Sequence, residues 1–487
     1  MTFETILLAM LVVYFTLCFL EGVRSMRLTK DETDYLVAGR KLGPWIGGAT
    51  FSATQMSAGT FVGTIAVHYL TGSSFIWAWA GIWTAYMVGL LWIAPRLRRY
   101  SLETGALTFP DFVADRFGSK WARAVAAGLP VIAYIVYMSA QYQAGGVIIQ
   151  TLFGLPFLYG ALILAVITVI YTAVGGMIAV VNTDFLQQCM MALGAVVGVP
   201  LAIYYAGGLS NLPTAFAAIS TSFAGWSYGF RDLLGFAVAF GLTFVSAPYV
   251  LTRFYALRDE KATYRAVAVA LFFNVVIAGA VAILGMALRV TWPQLLVADS
   301  ASSIFASQVL PPIIGAIVMT AVIAAIMSTN DSVLLAAGPA IAHDIYYRLI
   351  NPKADERQVL RWNRWSTVII GFIPILIALR QLDIVQFIVL AYSAILGSTV
   401  FVPVVVGLYW RRATSAGTIA AMAVGLAVCL IWYAIGQPVI HPSIAGGLSS
   451  LIAMVAVSLI TPPAPDENLR MFFRDTTAEG GASVSGD

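Results

Sequence analysis

Between Thr50 and Thr60 the chain reads Thr-Phe-Ser-Ala-Thr-Gln-Met-Ser-Ala-Gly-Thr, a polar insert in an apolar run from Pro44 to Leu70. About 20 apolar residues cross a bilayer, so this run can span one with its polar centre near the midplane. Every backbone N–H and C=O in lipid needs a partner, so a helix that weakens at that depth must line a polar cavity. Unwound there, it presents carbonyl oxygens inward, and such oxygens are what a dehydrated hard cation requires. The stretch reads as half of an ion and substrate site. Two acids also stand inside apolar segments: Asp184, at the start of its helix, and Asp331, within another. Carboxylates are costly at membrane depth and mark functional sites by default. Asp184 follows Asn182 and Thr183 and could equally cap its helix, whereas Asp331 has no capping role. Two carboxylates could hold a second sodium, or one could be protonated by its neighbour and couple a proton.

These residues need a membrane scaffold. Of 487 residues, 60% are hydrophobic and 10% charged, too few charges to solvate a water-soluble chain of that length. The fold class is all-α membrane protein. Apolar windows predict thirteen transmembrane helices, at about 5–24, 44–70, 74–95, 121–149, 155–179, 183–207, 232–253, 266–288, 311–346, 363–380, 384–409, 415–435 and 443–461. With the N-terminus outside, all but three (Arg231, Arg289, Arg380) of the 27 lysines and arginines fall on the inner side. This positive-inside pattern predicts a multi-pass cell-membrane protein, as in a bacterial inner membrane, with a cytoplasmic C-terminus. The basic residues sit in loops and form no single face, so no nucleic-acid partner is expected. Cys18, Cys189 and Cys429 lie in apolar segments without disulfide or metal-ligand spacing. The first apolar run lacks a basic leader and reads as a retained helix. Residues 1–462 are expected to form one transporter domain, and 463–487 a disordered cytoplasmic tail.

Without the first helix and the last two, ten remain as two groups of five with opposite topology, about 44–207 and 232–409. Inverted repeats place their site where the first helix of each repeat breaks. The second group opens with a helix carrying Gly241-Leu242-Thr243-Phe244-Val245-Ser246-Ala247-Pro248, and Pro248 removes a backbone donor at mid-span.

Several short motifs occur in order: Asp34-Tyr35-Leu36-Val37-Ala38-Gly39-Arg40, Ala106-Leu107-Thr108-Phe109-Pro110-Asp111, Tyr171-Thr172-Ala173-Val174-Gly175-Gly176 with Thr183-Asp184, and Ala324-Ala325-Ile326-Met327-Ser328-Thr329. In these the chain resembles the sodium:solute symporter family over nearly its whole length. Gly407-Leu408-Tyr409-Trp410-Arg411-Arg412-Ala413 and the His441-Pro442-Ser443 region look most like its pantothenate and monocarboxylate permease branch. The resemblance implies a LeuT-type inverted five-helix repeat with one N-terminal and two C-terminal extra helices. It also implies sodium held by the carbonyls of Ala53, Met56 and Ala325 and the hydroxyls of Ser328 and Thr329. Five neutral oxygens would hold a monovalent cation without leaving an isolated charge in a dry interior. The bland alternative is that Ser328 and Thr329 only bond their own helix. A further ion site in the family uses the Asp184 position with a hydroxyl near Asp331 or Ser332. Here Asp331 departs from the neutral residue commoner there.

For the solute, the polar candidates are Gln55 and Ser57 on the broken helix, Gln141 and Gln143 on the third core helix, and Tyr392, Ser393 and Ser398 on the tenth. Trp77, Trp79 and Trp83 could wall the pocket or form a lipid-facing belt. No membrane-embedded basic residue is expected to offer a counter-charge, so sodium itself would partly neutralise an organic anion. His68 reads as interfacial, and His343 and Asp344 as solvated at the inner end of their helix. The expected function is sodium-coupled import, by alternating access, of a small solute bearing one carboxylate, such as pantothenate or a short organic acid. The alternatives are a proton-coupled carrier, a sodium symporter for a neutral amino acid or sugar, and a membrane sensor module. No cofactor is expected beyond the coupling sodium, and no enzyme activity.

Overall fold

A computed structural model of the protein describes residues 2–473. Among these, all regular elements are helical apart from one isolated bridge between Leu42 and Leu257. Ten helical stretches are long and apolar enough to cross a membrane. Two are long enough for two spans at 1.5 Å per residue: Gly59–Thr104, of 46 residues, and Phe157–Tyr205, of 49. Each contains a break. Gly72 has φ +76° and ψ −141°, and Gly176 has φ +62° and ψ −155°. Those are regions open to glycine alone. The Glu356–Ala378 helix, of 23 residues, falls outside the ten because Glu356, Arg357, Arg361 and Arg364 crowd its first half.

The two interruptions expected from the sequence are present. The Pro44–Gln55 helix starts on a proline, whose fixed φ suits the first turn, and stops at Met56, with φ −76° and ψ 102°. The chain turns helical again through a π-helical stretch, Gly59–Thr64, and then Ile65–Thr71. The Phe230–Ser246 helix stops at Ala247 (φ −59°, ψ 122°), and Pro248 restarts it as Pro248–Ala256. The ends of the two broken elements are tied by backbone hydrogen bonds, Leu42 N–H to the Ala256 carbonyl at 3.0 Å and Arg258 N–H to the Leu42 carbonyl at 3.0 Å. Both interruptions pack against the Pro312–Pro339 helix, which is buried along most of its length.

Three placements differ from the sequence reading. The tail does not lose structure at 463. Asp466–Phe472 is a helix whose Phe472 ring stacks on Tyr100 at 4.9 Å and whose Asn468 amide donates to the Asp115 carbonyl. The rest of the tail, 474–487, lies outside the described residues. Asp184 is not a helix cap: the second arm starts at Gly176, two turns earlier, and the acid sits inside the helix. His343 and Asp344 are 1% and 0% exposed, because the Phe109–Phe117 and Lys120–Phe153 helices cover them.

Candidate functional site

Ending a helix at Gln55 orphans the carbonyls of its last turn, and Ser52 alone is repaid by the Met56 N–H at 3.0 Å. Two adjacent hydroxyls on the Pro312–Pro339 helix meet the rest. Ser328 Oγ lies 2.8 Å from the Ala53 carbonyl, 3.4 Å from that of Met56 and 3.0 Å from that of Ala325. Thr329 Oγ1 lies 3.1 Å from the Thr54 carbonyl and 3.3 Å from that of Met56. The geometry thus gathers Ala53, Met56, Ala325, Ser328 and Thr329, all wholly buried. Two hydroxyl protons face four carbonyls, so oxygen lone pairs outnumber donors. A bare monovalent cation is the kind of group that surplus suits.

One turn along the same helix, a polar network joins four segments. The Arg253 guanidinium lies 3.2 Å from Asp184 Oδ2 and 3.1 Å from Thr50 Oγ1, and it also donates to Ser332 Oγ. Thr50 donates to Asp184, and Ser332 Oγ is 3.0 Å from Thr54 Oγ1. Asp331 accepts from Tyr171 OH at 2.6 Å and from Ser332 at 3.1 Å. Asp184, Asp331 and Ser332 therefore do come together, but around a fixed cation. Arg253 is 1% exposed, so the expectation that no buried basic residue is available is overturned. Its guanidinium already offsets one of the two carboxylates. Arg253 follows Pro248 within the apolar run 241–257, which is the sequence signal for its burial, although its place near the end of that run also fits a loop charge.

Beyond the interruption lies a small cavity of about 20 Å³, walled by Gln55, Ser57, Thr60, Trp79, Tyr137 and Gln386, with Phe240 and Phe244 also on it. Gln55 Oε1 accepts from Tyr86 OH, while its amide nitrogen is buried without a protein acceptor. Gln141 Oε1 accepts from the Ala58 N–H at 2.8 Å and so caps the restarted helix. Tyr392 stands behind the cavity wall, stacked on Tyr137 with ring centroids 3.9 Å apart and donating to Tyr249 OH at 2.8 Å. Ser393 contributes its carbonyl to Thr243 at 2.5 Å. Neither lines the cavity. Two further candidates lie elsewhere. Gln143 donates to the Asp383 carbonyl at 2.7 Å, in a loop cluster with Asp299. Ser398 packs against Gly425 and Gly446 of the two C-terminal helices. Of the tryptophans, Trp79 is buried on the wall, whereas Trp77 is exposed and stacked on Trp226. Gln386, Tyr86 and the two phenylalanines were not singled out from sequence. Each lies on a long apolar helix where no local pattern marks the inward face.

At the basic-loop end, Arg123 Nη1 bridges Asp111 at 2.6 Å and Asp344 at 2.9 Å, and Thr108 donates to Asp344 at 3.0 Å. His343 Nδ1 lies 2.7 Å from Glu32. Burial opposes ionisation of Asp111, but its contacts with His343 and Arg123 outweigh that and hold its carboxyl well below the usual carboxylate range. Asp111, His343 and Asp344 could geometrically hold a metal ion. The guanidinium on both carboxylates makes a salt-bridge cluster the better description.

The family model for the sodium:solute symporter family matches residues 35–425. The osmoregulated proline transporter OpuE of Bacillus subtilis is 29% identical over 482 residues, covering 94% of this chain and 96% of that protein. A sodium/proline symporter of Staphylococcus aureus is also 29% identical, covering 93% and 90%. Among solved structures, a sodium-coupled sialic acid symporter in a substrate-bound outward-open state superposes with TM-score 0.81 at 20% identity, covering 94% of this chain and 99% of that one. The nucleobase-cation-symport-1 transporter Mhp1, in a closed conformation, gives 0.59 at 14% identity, covering 90% and 97%. At those identities the likeness shows the fold, which is the LeuT type implied by the sequence.

Proposed function

This chain belongs to the sodium:solute symporter family, and we propose that it carries a compact solute bearing one carboxylate together with sodium held between Met56 and Ser328. The observation that supports the ion position is the surplus of carbonyl oxygens around Ser328 and Thr329. Sodium there ties the end of the Pro44–Gln55 helix to the Pro312–Pro339 helix. Gln55, the next residue but one after Ala53, would then be held in the cavity with its free amide donor facing the solute. Each ligand orders the segment the other needs, which is a reciprocal coupling. The cavity's polar groups are neutral amides and hydroxyls among aromatic walls, a setting that suits a small zwitterion or anion rather than a sugar rich in hydroxyls. Since the curated relatives are proline transporters, proline is the first solute to test, with pantothenate and short monocarboxylates beside it.

Counting the arms on each side of Gly72 and Gly176 as separate spans, and adding Glu356–Ala378, gives thirteen passes. An odd number puts the two termini on opposite sides, and the clustering of lysine and arginine in alternate loops supports an outer N-terminus and a cytoplasmic C-terminus in a single transporter domain. The decisive experiment is uptake into proteoliposomes with sodium replaced by choline at fixed pH. The reading expects proline uptake to collapse. Undiminished uptake that follows an imposed proton gradient would instead favour proton coupling.

A further inference from the structure

A groove of about 470 Å³ runs along the flank of the helix bundle, walled by Gly81, Thr84, Val88 and Trp92 on one side and by Val245 and Tyr409 on others. No charged residue lines it. Val88, Trp92 and Tyr409 are 43%, 68% and 42% exposed, so the groove opens outward at membrane depth rather than toward the solute cavity. Trp92 and Tyr409 also wall a second pocket, of about 430 Å³, at the basic-loop end. There the charged residues are Arg96, Arg99 and Glu260, a net single positive charge. Arg96 is held in place: its guanidinium lies 4.0 Å from the Tyr409 ring centroid and donates to the Leu408 carbonyl at 3.3 Å. The Tyr409 hydroxyl donates in turn to the Trp92 carbonyl at 3.1 Å. Arg99 is exposed and has no hydrogen-bond or ion-pair partner among the described residues.

We propose that the two pockets are one binding site for an anionic phospholipid, the acyl chain in the groove and the phosphate on Arg96 and Arg99. An apolar slot at membrane depth that continues into a basic pocket at its boundary has the order in which a lipid presents tail and headgroup. Charge complementarity selects this occupant, because an apolar surface for a second copy of the chain would have no use for an unpaired arginine at its end. The proposal rests on the basic loops lying at a membrane face and does not depend on the identity of the solute.

Native mass spectrometry in a neutral detergent tests it, with phosphatidylglycerol and phosphatidylcholine of matched chains supplied in equal amounts. The unaltered protein should retain phosphatidylglycerol at least roughly fivefold over phosphatidylcholine, the scale of one well-placed arginine. Arg96→Gln with Arg99→Gln should erase the preference. Val88→Trp, which fills the groove from its exposed side and leaves the charge alone, should lower retention of both lipids. All these positions are exposed, so folding can be checked by an unchanged melting temperature without lipid. A preference that survives the double arginine change overturns the proposal, and so does Val88→Trp binding lipid like the parent. Competition by free glycerol phosphate as strong as that by phosphatidylglycerol would reject the acyl half of the site. Dimers lost with Val88→Trp, in place of lipid, would assign the groove to a second copy and reject the proposal. Binding is read here without transport, so failure of the symport reading leaves these outcomes untouched.

Discussion

Ser328 has one proton to donate and three backbone carbonyls within 3.4 Å, which a hydrogen-bonding role alone cannot satisfy. Replacing Ser328 and Thr329 with alanine removes two of the five proposed ligand oxygens. The sodium concentration for half-maximal uptake should then rise at least tenfold, about 1.4 kcal/mol, and an unshifted sodium titration would reject the assignment. Arg253 and Asp184 make a second prediction. Asp184→Asn removes the carboxylate that pairs directly with the buried guanidinium, at a cost of about 3–5 kcal/mol. The detergent-solubilised protein should melt well below the parent, and adding Arg253→Gln should recover much of the loss. If the double variant melts no higher than the single one, the ion pair is not what holds this network. Ser328 and Thr329 came to notice through the family resemblance, since a Ser-Thr pair by itself is equally well explained by bonds to its own helix. Arg253 was not read as buried, because an arginine three residues before the end of the Pro248–Ala256 helix obeys the positive-inside rule whether it is solvated or buried.

At the scale of elements, the interruptions at Met56 and Ala247 were legible: one has hydroxyls and glycine where a span should be apolar, the other a proline at mid-span. The division of the Phe157–Tyr205 stretch rests on Gly176, whose backbone conformation and closeness to Tyr35 leave no room for a side chain. A Cβ there would lie 2.5 Å from Tyr35 Cδ2 and 2.8 Å from the Tyr35 carbonyl. Gly176→Ala should lower stability by about 1–3 kcal/mol, seen as a lower melting temperature. Asp299 makes the pH prediction. Its carboxylate accepts the Val385 N–H at 3.1 Å, at the first turn of the Val385–Tyr409 helix. Burial pushes its carboxyl up to about 6, against the opposing effect of that bond. Because the folded value exceeds the unfolded one, protonation favours the fold. The contribution is complete below about pH 4 and is lost as pH rises through 6. Asp299→Asn should therefore match the parent at pH 4 and exceed it at pH 8, by up to about 3 kcal/mol. Equal melting temperatures at both pH values would show that this acid does not titrate with folding. Nothing local marks Asp299 as buried; it lies in a polar segment between two long helices, and packing alone covers it.

On the scale of the molecule, the polar cluster at the basic-loop end closes one side. Arg123, Asp111 and Asp344 belong to three different helices, so parting those helices means separating charges already buried. Arg123→Gln should loosen this end, and hydrogen exchange in the Phe109–Phe117 helix should speed up by about two orders of magnitude if opening becomes 3 kcal/mol easier. Exchange at the parent's rate would show that other contacts hold the helix down. Helix number and the clustering of basic residues could be read along the chain. The cluster itself could not, because Asp344 lies more than 200 residues from Asp111 and Arg123 and only the packed bundle brings them together.

The space beside Gln55, about 20 Å³, holds one or two water molecules and nothing larger. A solute cannot arrive at its place by diffusion into this form; it must wait for the bundle to part. Observed rates of association should therefore level off at high solute concentration, at a ceiling set by the protein's own motion and common to every compound it accepts.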